Sequence, residues 1–201
     1  PNKGDFEDAE NNIHSVVQDY RGYIWYSTYR GVFRLDVESD TSIHFLPNVE
    51  SNSSLPHQLV WSVHEDQQQR MWFATQFGIA LYENKDDQFQ FQNFLPQQDA
   101  PDALHGDRFW QFAEQSDGSL WVGSDDGLYQ IIEDNGFRFK HHKHDENNSS
   151  SLSGNFINCL YIGKDDRVWT GTWQDGLNEI SLESDTLKIN RYIHDQENEF
   201  S

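Results

Sequence analysis

The sequence is poor in cysteine and contains no long apolar run. Cys159 is the only cysteine among 201 residues, which excludes an intrachain disulfide, a cysteine-based zinc cluster and CxxC chemistry. No stretch approaches the roughly 18 consecutive apolar residues that span a bilayer. The first ten residues also lack the basic start and apolar centre of a signal peptide. We find no segment with helical periodicity either, so the sequence predicts an all-β chain.

Basic residues are also scarce. Lysine and arginine number 14 against 34 aspartates and glutamates, which gives a formal net charge of −20. Nucleic-acid binding depends on clustered cations that neutralise phosphates, and docking on anionic lipid has the same requirement. The scattered cations therefore predict no nucleic-acid partner and no direct membrane contact, while the excess of acid suits a solvated surface.

Motifs that carry catalysis or hold cofactors are missing. The sequence contains no GxSxG, HExxH, P-loop or GxGxxG pattern. His141, His142 and His144 lie close together with Asp145, but on a strand His141 and His142 face opposite sides, which leaves at most two histidines for one metal. The His-Asp pair recurs at His194, which favours a role in a linker. We expect no metal, no cofactor and no catalytic residue in this chain.

A repeat of about 48 residues runs through the sequence. Its first copy reads DYRGYIWYSTYRGVFRLD from Asp19 to Asp36, and it combines a turn, an aromatic strand, a second turn and another strand. One tryptophan per copy recurs at steps of 47, 49 and 48, at Trp25, Trp72, Trp121 and Trp169. One glycine recurs at steps of 47, 49 and 49, at Gly31, Gly78, Gly127 and Gly176. A period of roughly 40 to 50 residues is typical of propeller blades.

Each copy contains four short segments rich in aromatic and β-branched residues, separated by turn residues. The sequence therefore predicts a β-propeller domain over residues 1–201, with four blades of four antiparallel strands each. The expected blades cover about 10–48, 57–96, 106–143 and 154–194. Both ends resemble linkers, so we expect a fragment, truncated at both ends, of a larger propeller of about seven blades. Such a piece is expected to close as a tight four-bladed ring or to pair with a second copy.

The two recurring residue types predict structural roles. A tryptophan on the second strand of each blade can fill the gap between adjacent sheets, because its large ring buries much apolar surface. The recurring glycine is expected at a positive φ or where two backbones approach closely. We therefore assign the tryptophan column to the core and the glycine column to a tight turn.

Two sets of positions vary between copies and are candidates for ligand binding. The loop after the tryptophan strand changes in every copy, and around one axis these loops would converge on one face. Aromatic rings beside amides and carboxylates suit recognition of a sugar or another small polar molecule, although unconstrained loop drift explains the variation equally well. The loop candidates are Tyr29, Arg30, Gln76, Phe77, Asp125, Asp126, Trp173, Gln174 and Asp175. The second set could line a central channel or serve only packing, and it comprises His14, Trp61, Trp110 and Asn158.

The pattern NIxSVVQDxxGxIWxxTxxGVxRLD, from Asn12 to Asp36, resembles the two-component regulator propeller repeat. The second copy departs from it with Gln69 at the turn glycine, and the fourth with Asp166 there and an extra residue before Gly176. The resemblance implies periplasmic sensor regions of membrane-bound histidine kinases or diguanylate cyclases, with seven-bladed propellers followed by a small β-sandwich and a membrane helix. It also implies an oligosaccharide or other small extracellular ligand, and signalling through self-associated sensors.

The sequence thus predicts a non-enzymatic, ligand-sensing propeller domain on the periplasmic side of the inner membrane. Two alternatives remain open. One is a propeller enzyme, such as a lyase or glycosidase, which would need histidines and acids clustered on the loop face. The other is a protein-interaction scaffold, which would show a broad apolar patch.

Overall fold

The computed structural model describes residues 11–51, 53–85, 88–97, 100–183 and 186–194. Within these ranges the chain forms sixteen β-strands and no helix. Accordingly, the described residues include no helix of the length and apolarity needed to cross a membrane. The expected linker remnants at residues 1–10 and 195–201 lie outside the described residues.

The strands form four sheets of four, which we call blades 1 to 4. Blade 1 contains β1 (Ile13–Gln18), β2 (Ile24–Thr28), β3 (Gly31–Asp36) and β4 (Thr41–Phe45). Blade 2 contains β5 (Val60–Glu65), β6 (Met71–Thr75), β7 (Ile79–Lys85) and β8 (Gln88–Phe94). Blade 3 contains β9 (Phe109–Glu114), β10 (Leu120–Ser124), β11 (Gly127–Glu133) and β12 (Phe137–His142). Blade 4 contains β13 (Ile157–Ile162), β14 (Val168–Thr172), β15 (Leu177–Glu183) and β16 (Thr186–Tyr192).

Each sheet is an antiparallel meander in which strands follow one another in chain order. The predicted fold class, all-β with four blades of four antiparallel strands, is confirmed. The predicted blade limits include connecting residues as well as strands, and they stay predictions.

The recurring glycine is the first residue of the third strand in blades 1 and 3 and directly precedes that strand in blades 2 and 4, where a side chain would not fit. Gly31 and Gly78 both have a φ of +91°. A Cβ on either residue would overlap the carbonyl oxygen of the neighbouring outer strand, at Phe45 and Phe94 respectively. The prediction of a positive φ with a close backbone approach is therefore confirmed.

The turn between the first two strands also needs one left-handed residue in every blade. Glycine fills this position twice, as Gly22 with φ +91° and Gly118 with φ +85°. Gln69 and Asp166 take the same conformation, each at φ +64°. The turn geometry therefore persists where the glycine is replaced, at the cost of the strain that a Cβ brings in this region.

The core lies between the blades. Trp25, Trp72 and Trp121 are each at most 2% exposed, and each packs in the cluster that joins its own blade to the next. The links between blades add a buried leucine to each of these gaps, at Leu55, Leu104 and Leu152. Three gaps therefore hold the four sheets together.

A carboxylate also bridges each pair of neighbouring blades at the first turn. Glu65 accepts a hydrogen bond from the Tyr20 amide at 2.9 Å, and Asp166 accepts one from the Ser116 amide at 2.8 Å. Glu114 does the same for Gln67 in the middle pair, at 3.0 Å. These bonds fix the angle between blades at the end of the sheets that lies away from the loop candidates.

The two outer faces of the array are uncovered. Trp169 is only half-buried, because its face of blade 4 points away from blade 3, so the prediction that every tryptophan of the column fills a gap is wrong for this one. Val16 on blade 1 is 59% exposed and Tyr161 on blade 4 is 61% exposed. A tight four-bladed ring is therefore not formed within the described residues, while pairing with a second copy stays a prediction.

Candidate functional site

The first strand of every blade contains a β-bulge. Its pairing register shifts by one residue, between Ile13 and Ser15 in β1 and at the matching place in β5, β9 and β13. A bulge leaves one extra residue out of the ladder and re-aims its side chain. The four bulge residues are His14, Trp61, Trp110 and Asn158.

These first strands are the innermost ones. Strand β1 contacts β5, β5 contacts β9, and β9 contacts β13, so the four bulges follow one another along the inner edge of the array. Together with Ser15, Ser62 and Gln111, the bulge residues line a cavity of about 320 Å³. We call this space the hub cavity. The second set of sequence candidates is thus brought together at one place.

The hub cavity is lined by uncharged groups. Indole, hydroxyl and amide side chains surround it, and the remaining titratable group is His14. Burial lowers the pKa of His14, which keeps its imidazole neutral at pH 7. In a chain with a net charge of −20, this neutrality sets the cavity apart from the rest of the surface.

A line of aromatic rings crosses all four blades at this edge, and we call it the aromatic row. His14 lies 4.3 Å from Tyr29 and 5.0 Å from Trp61, measured between ring centroids. Trp61 and Trp110 are 4.8 Å apart and tilted by 42°. Phe156 continues the row at 5.4 Å from Trp110, and Trp173 ends it at 5.7 Å from Phe156.

Several polar groups along the row lack hydrogen-bond partners among the described residues. They are the indole N–H groups of Trp61 and Trp110 and Nε2 of His14, all of which are buried. Neighbouring polar side chains are instead used to join the blades: Ser15 Oγ accepts from the Val63 amide at 3.2 Å, and Gln111 Oε1 accepts from the Leu160 amide at 3.0 Å. Buried donors without partners are uncommon in proteins, so those of the row require an explanation.

The predicted loop candidates lie beside the start of the first strands. The Gln76 amide donates to the Leu59 carbonyl at 3.0 Å, and the Trp173 amide donates to the Phe156 carbonyl at 3.0 Å. Asp125 makes the matching bond to Arg108 at 3.1 Å. The loops of blades 2, 3 and 4 therefore stand next to the hub.

The individual loop candidates differ in what they contact. Tyr29 and Trp173 belong to the aromatic row, and Trp173 is 66% exposed. Phe77 is 43% exposed. The half-buried residues Arg30 and Gln76 and the exposed residues Gln174 and Asp175 complete the loops.

The two aspartates of the blade 3 loop hold the loop together. The Asp125 carboxylate accepts hydrogen bonds from the amides of Asp107 and Arg108, both at 3.2 Å. The Asp126 carboxylate pairs with Lys143 at 2.6 Å. The structure thus brings some predicted loop residues to the row and gives others structural contacts, and their role in binding stays a prediction.

The histidine cluster of the third link is structural. His144 Nδ1 contacts the Leu152 carbonyl at 2.6 Å, and the Asp145 amide donates to Ser151 at 2.8 Å. These bonds close the link on itself, as expected for a linker role. Within the described ranges, no group of three or more histidines, cysteines or carboxylates is placed to hold a metal.

A second cavity, of about 260 Å³, lies between blades 1 and 2 at the opposite end of the sheets. Its charged side chains are already engaged: Arg70 pairs with Asp66 and Glu133 at 2.7 Å each, and Arg34 lies over the rings of Tyr23 and Phe89. The contact between Arg34 and Phe89 joins blades 1 and 2, and the pair of Arg70 and Glu133 joins blades 2 and 3, which is why we place the candidate site at the hub.

Sequence reasoning missed Phe156 and the bulges themselves. Phe156 directly precedes β13, and its aromatic type was the available signal. The bulges had no such signal, because a shift in register depends on the partner strand.

Comparison with known proteins agrees with the fold. Residues 54–77 and 151–174 match the model of the family described as two component regulator propeller. No curated protein matches the sequence.

Solved structures share the architecture at low sequence identity. The extracellular domain assigned to a hybrid two-component system of B. thetaiotaomicron is 20% identical with a TM-score of 0.77, over 92% of this chain and 25% of that one. An extracellular domain assigned to a one-component system of the same organism is 18% identical with a TM-score of 0.70, over 90% of this chain and 25% of that one. This chain therefore spans about a quarter of the length of these two structures.

An enzyme shares the fold as well. An inactive variant of virginiamycin B lyase from Staphylococcus aureus is 12% identical with a TM-score of 0.62, over 90% of this chain and 56% of that one. The fold alone therefore does not separate binding from catalysis. Residues 54–77 and 151–174 are thus similar to two-component regulator propeller repeats, and the four sheets have the arrangement of β-propeller blades.

Proposed function

We propose that this chain is the ligand-sensing propeller region of a membrane-bound signal-transduction protein, located outside the cytoplasm, and that it binds a small polar ligand such as an oligosaccharide. The aromatic row carries this proposal. It runs from Tyr29 to Trp173 across all four blades and ends in a largely exposed indole. Sugar rings stack on exposed aromatic faces, while nearby amides and carboxylates orient their hydroxyl groups.

Three observations support an extracytoplasmic sensor. Two segments match the two-component regulator propeller model, and the similar solved structures include extracellular domains assigned to one- and two-component systems. A strongly acidic, well solvated surface suits such a location.

Signalling would follow from differential affinity. A ligand that contacts several blades binds one arrangement of neighbouring parts more tightly than another, and it shifts the population toward that arrangement. In this proposal, self-association of the parent sensor carries the shift to an output domain. The chain itself performs no chemistry.

The proposal is tested by thermal shift with a panel of neutral oligosaccharides. We expect at least one to raise the unfolding temperature in a concentration-dependent way, because a ligand that binds only the folded state stabilises it. The variant Trp173→Ala should reduce that shift, since it removes the exposed end of the row.

A matched control is Phe89→Ala, which removes another partly exposed ring, 40% exposed, from an outer strand. This variant should keep the shift of the unmodified protein. A shift that is absent for every sugar, or one that Trp173→Ala leaves unchanged, would contradict the proposed function or its site.

A further inference from the structure

The hub cavity contains polar groups that its own structure does not use. Ser62 is 8% exposed, and its hydroxyl makes no hydrogen bond within the described part of the chain. The amide of Asn158, on the facing side of the cavity, is likewise without a partner among those residues. The hydroxyl and the amide offer both donors and acceptors around one small space, and the two buried indole N–H groups of the row belong to rings that line it.

From this arrangement we infer that the hub cavity binds one neutral sugar unit, the uncharged end of the oligosaccharide, against Trp61 and Trp110. The inference rests on the proposed function and names the place and the chemical class of the unit that is held. The exposed end of the row at Trp173 then contacts the following units.

The uncharged lining of the hub cavity favours a neutral ligand. Burying a charged group without a partner is strongly unfavourable, and the cavity provides no ionised side chain to compensate it. A neutral sugar ring combines apolar C–H faces with hydroxyl groups that both donate and accept. Indole faces and unpaired hydroxyl, amide and N–H groups match both properties.

The size of the cavity agrees with a small unit. Ligand sites in proteins range from about 300 to 1,000 Å³, and the hub cavity has about 320 Å³. It therefore accommodates a single sugar unit more readily than a long chain, which has to extend over the loops.

Binding of a sugar should also be detectable through the two tryptophans. Both indole N–H groups are covered by neighbouring atoms in this structure, so a ligand oxygen reaches them only when the rings turn. Rotation of the 4.8 Å pair changes the surroundings of both indoles. We therefore expect a change in intrinsic tryptophan fluorescence on binding.

The test is a fluorescence and calorimetric titration of the 201-residue chain with maltotriose, cellotriose and mannotriose, and with trigalacturonic acid as the charged counterpart. We expect one or more neutral trisaccharides to bind and the charged one to bind at least tenfold more weakly. Ser62→Ala should weaken binding about fivefold to tenfold, because it removes one hydrogen bond between the chain and the sugar without altering the fold. Trp110→Ala should abolish binding.

The matched control is Ser153→Ala. Ser153 is 7% exposed and its hydroxyl also lacks a partner, but it lies in a link away from the hub cavity. Binding by this variant should stay within about twofold of the unmodified chain. Circular dichroism on each variant separates lost binding from lost folding.

The outcomes separate the two proposals. If Trp173→Ala weakens trisaccharide binding while Ser62→Ala and Trp110→Ala leave it unchanged, the hub inference is wrong and the proposed function stands. If trigalacturonic acid binds more tightly than the neutral sugars, the inferred ligand class is wrong. If no sugar binds to the unmodified chain, both are contradicted.

Discussion

Trp72 and Trp169 occupy the same position in two copies of the repeat, yet their surroundings differ completely. Trp72 has no exposed surface and packs against Phe112 and Phe137 of the next blade. Trp169 is half-buried and stacks at 5.7 Å on Tyr192 of its own blade. The neighbouring blade therefore decides whether this tryptophan is fully buried, as in other repeat architectures.

The tryptophans of the column also differ in whether a side chain accepts the hydrogen bond of the indole N–H. Six residues before the tryptophan, Asp66 accepts the Trp72 N–H at 2.8 Å, and Asp19 and Gln115 do the same for Trp25 and Trp121. The fourth copy has Gly163 at this position, which offers no side-chain acceptor. The blade with the uncovered face thus also lacks the polar support of its tryptophan.

The largest expected effect is the loss of stability when one of these two tryptophans is replaced. Trp72→Ala should destabilise the chain by about 3–5 kcal/mol, because it leaves a cavity between two blades that cannot collapse. Trp169→Ala should cost only about 1 kcal/mol, since its face is uncovered. Urea denaturation of both variants measures the difference, and equal losses would show that the two sites are equivalent after all.

The next prediction concerns the carboxylate that accepts the hydrogen bond of the Trp72 indole. Asp66 is 5% exposed and accepts hydrogen bonds from Trp72, from the Gln68 and Arg70 amides and from the Arg70 guanidinium. Asp66→Ala should therefore cost about 3 kcal/mol, because several buried donors lose their acceptor.

Asp117 provides the control for that substitution. It lies in the same turn of blade 3 and is exposed, and among the described residues its carboxylate accepts a hydrogen bond only from the Ser119 amide, at 2.8 Å. Asp117→Ala should cost less than 1 kcal/mol in the same urea series. A loss at Asp117 that matches the loss at Asp66 would argue against a special role for the indole acceptor.

The ring that packs beside the tryptophan predicts how the stability of the chain depends on pH. In blade 3, His142 lies 5.8 Å from Trp121, and burial with help from Lys140 and His141 lowers the pKa of His142 to about 4. In blade 4 the matching ring is Tyr192, which is 51% exposed. A histidine with a lowered pKa in the folded state contributes stability that is complete above its ordinary pKa of about 6.5 and is lost as the pH falls toward 4.

Lowering the pH from 7 to 5 should therefore cost about 2 kcal/mol of stability through His142. Denaturation curves at the two pH values measure this cost, and His142→Gln should show a correspondingly smaller difference between them. An unchanged pH dependence in the variant would mean that His142 remains accessible to protons in the folded chain.

The smallest expected effect concerns the left-handed residue in the turn between the first two strands. Gln69→Gly should stabilise the chain by about 0.5–1 kcal/mol, because it relieves a left-handed residue at φ +64°. The neighbouring change Gln68→Gly should instead destabilise it slightly, since Gln68 is exposed and does not have a positive φ. Thermal unfolding of the pair checks the opposite signs.

Much of the fold could be predicted from the period. The tryptophan and glycine columns fix where each second strand runs and where each third strand begins, because a large ring and a residue without Cβ each fit few environments. The different burial of Trp169 could not be predicted in this way. Its own strand matches the others, and only the neighbouring blade decides how much of the ring is covered.

The candidate site was predictable only in part. Variation among copies indicated the loops and the inner strands, and Tyr29, Trp61 and Trp173 do lie in one row. Variation did not distinguish a binding residue from one that fastens a loop, as Asp125 does. Nor could it show that Trp61 and Trp110 sit at bulges, since a bulge is a property of two paired strands.

Deuterium exchange of the seven indole N–H groups, followed by NMR on the 201-residue chain, tests the central claim most directly. The claim is that each tryptophan of the column is enclosed by the blade that follows it. We expect slow exchange for Trp25, Trp72 and Trp121, and fast exchange for Trp169 and the exposed Trp173. Slow exchange at Trp169, or fast exchange at any of the three enclosed indoles, would contradict the account.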